Sequence, residues 1–106
     1  MTDIVIIKGN PLSEFILKAI ELEARELEVE YKDGYEEITV LKGQMGFGIA
    51  RLESDGKEAT NLRNQLYAIF ENKEGKIRLN EKEYKLEVET YESFGEDVFR
   101  LRIKMS

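Results

Sequence analysis

Several groupings of side chains in this sequence are of types that can do chemistry. Gly43, Gly46 and Gly48 form a G-x-x-G-x-G run that also holds Met45 and Phe47. Glycines let backbone N–H groups approach an anion closely, which is how phosphate-binding loops work. This spacing matches neither the dinucleotide fingerprint nor the P-loop pattern, and no helix is expected directly after it. A strand reversal with glycines at positive φ, or a strand bulge, accounts for it more simply. Met45 and Phe47 would then sit on an exposed tip, and apolar groups on a loop need covering. Gly43, Met45, Gly46, Phe47 and Gly48 are therefore the candidate partner-binding residues.

Glu21, Glu23, Glu26, Glu28 and Glu30 form an acidic cluster. A catalytic carboxylate pair needs one member with a raised pKa, through burial or a close like charge. These lie on an expected solvated face beside Arg25 and Lys32, so a surface role is the reading. No D-x-[DN]-x-[DN]-G calcium loop occurs. Arg100, Arg102 and Lys104 form the one ordered basic strip, which could hold a phosphate backbone or an acidic partner. No aromatic residues interleave with it for base stacking, since Phe99 falls on the opposite face. The five tyrosines could line a pocket between sheet and helices; a filled core with hydroxyls at its rim fits the same pattern.

The chain of 106 residues has neither Cys nor His. Disulfides, thiolate nucleophiles, serine and cysteine triads, His- or Cys-ligated zinc and imidazole acid–base catalysis are thereby excluded. The expectation is a protein that is not an enzyme and has no cofactor or metal. A formal charge of −6 disfavours nonspecific nucleic-acid binding, which relies on neutralising many phosphates. Ile4-Val5-Ile6-Ile7 is too short for a signal-peptide core or a membrane span, so a cytoplasmic protein without direct membrane insertion is expected. No linker or repeat divides the chain, which suits one domain over residues 1–106.

The elements that must position these groups read as follows. A β-branched run from about Asp3 to Lys8 suits a covered strand, expected inside the sheet. Asn10 can cap a helix opening at Pro11, with Leu12, Phe15, Ile16, Ala19 and Ile20 as its apolar stripe. Leu17 lies off that stripe. From Leu27 the period becomes two, with Leu27, Val29 and Tyr31 inward, and Asp33-Gly34 signals a hairpin into Tyr35 to Leu41. The glycine run follows, then a strand from Ile49 to Glu53. Asp55 and Glu58 suggest the start of a second helix carrying Ala59, Leu62, Leu66, Ile69 and Phe70. Strands over 76–79, 84–90 and 97–105 complete the chain. Setting Glu89 opposite Arg100, Glu87 opposite Arg102, Val88 opposite Leu101 and Leu86 opposite Ile103 sorts charges to one face and apolar groups to the other. The result is an α+β, two-layer domain with a mostly antiparallel sheet and two helices on one face, in the order β-α-β-β-β-α-β-β-β.

The same order of motifs from Ile16 to Lys104 resembles the small PAS-like domain that precedes the motor in type II secretion and type IV pilus assembly ATPases. The stretch from Ala19 to Glu30, the Asp33-Gly34 turn, the helix around Leu62 to Phe70, Lys76-Ile77 and the closing Gly95-Glu96 hairpin carry the resemblance. Two departures limit it. The family's strand after the Asp-Gly turn carries alternating arginines, whereas Ile38 to Gly43 here has none. No G-x-x-x-x-G-K-[ST] loop is present, so nucleotide chemistry is not implied. What the resemblance implies is a PAS-like fold and a noncatalytic protein-interaction or assembly role with a protein partner. A small-ligand sensor with an internal pocket is the alternative. An exposed edge strand could also pair two copies into a homo-oligomer.

Overall fold

A computed structural model describes residues 5–7, 11–93 and 95–105 of the chain. Its elements run β1 (Val5–Ile7), α1 (Pro11–Glu21), β2 (Glu26–Lys32), β3 (Tyr35–Lys42), β4 (Met45–Glu53), α2 (Lys57–Asn72), β5 (Gly75–Leu79), β6 (Lys82–Ser93) and β7 (Glu96–Met105). This is the expected order. The strands form one sheet in the order β1-β5-β6-β7-β2-β3-β4. All neighbours are antiparallel except β1 and β5.

Both helices cover one face, and the layer between is filled by apolar side chains. Leu12, Ile16 and Ala19 of α1 and Leu62, Leu66 and Ile69 of α2 meet Leu27, Val29, Ile38, Val40, Ile77, Leu86, Phe99, Leu101 and Ile103. Each follows from period: three to four along the helices, two along the strands. Phe15 and Ile20 pack partly buried against this cluster, and Leu17 is half-buried. Helix α1 ends in a Schellman closure: Ala24 N–H bonds the Ala19 carbonyl and Glu23 N–H that of Ile20, with Glu23 at φ 59°.

The β6–β7 register is the expected one at every position named, from Leu86 against Ile103 to Glu89 against Arg100. Some other expectations fail, and one lies outside what the structure describes. The first strand lies at an edge of the sheet, not inside it, because its partner is β5 in parallel. The Asn10 cap lies outside the described residues. Asp55 does not cap α2: Gly56 occupies the cap position without a side-chain bond, and its carbonyl accepts from the N–H and hydroxyl of Thr60. Tyr31, Phe70 and Met105, in phase with the core, are exposed; each lies within two residues of the C-terminal end of its element. Strand β4 begins at Met45, four residues before the expected Ile49.

Candidate functional site

The expected contact residues fall on β4 and the turn before it. The reversal from β3 needs only Gly43 and Gln44, because Lys42 already pairs with Met45. Gly43 takes φ +62°, the positive value required at the first position of a type II′ turn. From Met45 the chain is paired strand: Gly46 lies against Leu41, Phe47 against Val40 and Gly48 against Thr39. A bulge follows, since the register jumps between Ile38–Ala50 and Thr39–Gly48, leaving Ile49 as the extra residue.

Partners directly opposite share a face, so Phe47 and Met45 lie on the helix side of the sheet. They nevertheless stay 42% and 61% exposed. As the last strand in the sheet order, β4 has no strand on its outer side among the described residues. Gly46 and Gly48 put no side chain over the other face there. The structure thus gathers Met45, Gly46, Phe47 and Gly48 on one accessible sheet edge instead of a loop tip.

The outer face carries the basic strip, and each of its cations has a carboxylate. Arg100 Nη2 donates to Glu28 Oε2 at 2.9 Å, and Tyr91 Oη donates to the same oxygen at 2.7 Å. Arg102 pairs with Glu89 at 2.8 Å and with Glu26 at 3.5 Å, and Lys104 pairs with Glu87. The contacts of Arg100 with Glu28 and of Arg102 with Glu26 run straight across to registered partners on β2, whereas those of Arg102 with Glu89 and of Lys104 with Glu87 run diagonally to β6, within reach of such long side chains. The Glu28 contact raises the Arg100 pKa, and the hydrogen bond from Lys104 lowers that of Glu87. Burial, then the bond to Glu28, raises that of Tyr91. Glu26 and Glu28 of the acidic cluster are therefore structural partners of the strip.

A third feature matches the tyrosine-lined pocket the sequence allowed, but only in Tyr31 and Tyr67; its charged residues were not among the sequence candidates. At the end of the sheet holding the β2–β3 turn, a cleft of about 280 Å³ opens between α2, the connection before it and strands β2, β3 and β7. Its floor is Glu36, 4% exposed. Alternation along β3 puts Glu36 in phase with Ile38 and Val40. Arg63 Nη1 lies 3.2 Å from Glu36 Oε2, and Ser54 Oγ donates to that oxygen at 2.7 Å. Arg63 Nη2 in turn donates to the Ser54 carbonyl at 2.9 Å. On the far wall Tyr67 Oη donates to Asp97 Oδ2 at 3.1 Å, and its ring meets Phe99 edge-on at 4.9 Å. Burial, then the Asp97 contact, raises the Tyr67 pKa.

No protein-family model matches the chain, and no curated protein matches it. Among solved structures it is similar to the X-ray structure of the Legionella pneumophila ATPase DotB. The TM-score is 0.52 at 16% identity, over 97% of this chain and 32% of that one. At this identity the likeness to DotB is one of fold, and the chain spans about a third of the length of the DotB chain. No P-loop pattern occurs in this sequence to match an ATPase motor. Among the described residues, no helix is long and apolar enough to cross a membrane.

Proposed function

We propose that this domain is a noncatalytic, cytoplasmic protein-interaction module, linked through its sequence resemblance to secretion or pilus assembly machinery. One observation carries the reading: the edge of β4, unpaired among the described residues, with Met45 and Phe47 exposed beside it. An open edge offers a row of backbone donors and acceptors to a partner's extended segment, and flanking side chains add specificity. The similarity of fold to part of DotB agrees with a domain that works beside a motor without containing one. A paired basic strip and a charge of −6 argue against nucleic acid as the partner.

The test is capture of partners from native lysate by the tagged domain and by its Met45→Ser/Phe47→Ser variant. Recovery of a secretion or pilus assembly ATPase, or of a membrane assembly protein, that is lost in the folded variant supports the reading. Equal capture by both, or a monodisperse monomer that captures nothing, refutes it. A small-ligand sensor is the second reading, favoured by the cleft over Glu36. Its 280 Å³ falls just short of the roughly 300–1,000 Å³ of drug-sized ligand sites. Native mass spectrometry that found a retained small molecule would put this reading first.

A further inference from the structure

The acidity of this protein is concentrated at one end. The β2–β3 turn and flanking strand residues 30–37, the β4–α2 connection with residues 51–63, and residues 92, 93 and 95–97 of the β6–β7 hairpin meet there. Together they carry ten carboxylates and four cations, a surplus equal to the chain's formal charge of −6. The rest of the chain sums to zero.

The cleft opens within that end. Its one cation, Arg63, has its terminal nitrogens engaged by Glu36 and Ser54, which leaves little to offer an anion. Asp97 receives a single hydrogen bond, from Tyr67, and Glu96 beside it has no partner among the described residues. An ionised carboxylate is acceptor-only, so what completes the pair must be a donor. The rings of Tyr31 and Tyr67, 37% and 38% exposed, stand along the same cleft. Aromatic faces beside carboxylates favour an ammonium or guanidinium group. The volume suits one long side chain.

We propose that this cleft receives a lysine or arginine side chain from a basic, extended segment of a protein partner, with Asp97 and Glu96 as acceptors and Tyr31 and Tyr67 as the walls. A field spread over a whole end of the molecule steers a multiply charged segment far better than a single free amine, which points to a polypeptide. The proposal deepens the interaction-module reading but uses a different surface from β4.

The probes are a Gly/Ser peptide with interspersed lysines, the same peptide acetylated at each lysine, and n-butylamine. Binding is followed at low ionic strength by titration calorimetry and by amide chemical shifts. The lysine peptide should shift the amides of Tyr31, Tyr67 and Asp97, and the acetylated one should not. Glu96→Gln/Asp97→Asn should weaken binding about tenfold, and Tyr31→Leu should weaken it several-fold without any change of charge. Met45→Ser/Phe47→Ser should leave it unchanged, so the two readings fail separately. Equal weakening by Glu53→Gln/Asp55→Asn, with Tyr31→Leu neutral, reduces the effect to diffuse attraction and overturns the proposal. Butylamine binding as tightly as the peptide overturns the polypeptide assignment.

Discussion

Replacing Arg63 by Met tests whether the floor of the cleft is held by a buried charge network. The Glu36 side chain is 5% exposed and that of Arg63 is 30% exposed, with 3.2 Å between them. Removing one member of a fully buried pair costs about 3–5 kcal/mol, because a charge is stranded. Exposed pairs are worth about 0.2–1 kcal/mol. Here the stranded group is the buried one, but Ser54 Oγ still donates to it at 2.7 Å. An intermediate cost of about 2–3 kcal/mol follows, or about 10 °C in Tm for a domain of this size. Glu36→Leu should cost less, about 1 kcal/mol, since Arg63 can turn its head to water. The double variant should cost clearly less than the sum, with a coupling of about 1.5 kcal/mol. Urea unfolding followed by circular dichroism measures all three. A cost below about 0.5 kcal/mol for Arg63→Met, or strict additivity, would show that Glu36 does not depend on Arg63 and refute the network.

Gly75, buried where β5 begins beneath α2, should not accept a side chain. A Cβ there would lie 2.9 Å from Ile69 Cγ1 and 3.3 Å from two further Ile69 carbons. Gly75→Ala should cost about 1–3 kcal/mol; a thermal melt unchanged in Gly75→Ala would contradict the packing. At high pH, Tyr67 and Tyr91 should give up their protons late, their folded pKa values standing above the ordinary 10.0. The folded state holds these protons more tightly, so their contribution is present below the unfolded tyrosine value and is lost as pH rises through the folded one. A tyrosinate absorbance titration should show a late component that shrinks by two tyrosines in Tyr67→Phe/Tyr91→Phe. An unchanged late component would mean that the contacts to Asp97 and Glu28 do not persist in solution.

The parts of this fold that could be read in advance are those with a strict local period. From Tyr84 to Val88 and Phe99 to Ile103, alternation fixed which residues face the helices, and opposite charges fixed the register to the residue. The start of β4 could not be read this way. Gly43 to Gly48 has the composition of a loop, and what makes it strand is pairing with Thr39, Val40 and Leu41 across the turn. The place of β1 was equally hidden, because an apolar run does not say which strand it will join. The cleft draws Glu36, Arg63 and Asp97 from distant segments in which each looks like an ordinary surface charge. One signal was available: Glu36 is a carboxylate in phase with Ile38 and Val40, and a charge at a core position must find a partner.

That misplaced carboxylate also explains why the two surfaces divide their work as they do. On the outer face, the strip cations of β7 are met by Glu26, Glu28, Glu87 and Glu89, so that ladder leaves no large net field. At the cleft the one cation is drawn inward to neutralise Glu36, which leaves Glu96 and Asp97 facing solvent without it. Surplus charge therefore persists where the sheet ends, and apolar surface persists where the sheet has an open edge. The two should respond oppositely to salt: screening weakens attraction to the acidic end, while burial of Met45 and Phe47 is insensitive to it or strengthened. A partner held at both surfaces would lose only part of its affinity as ionic strength rises, and the residue that remained would be the share carried by β4.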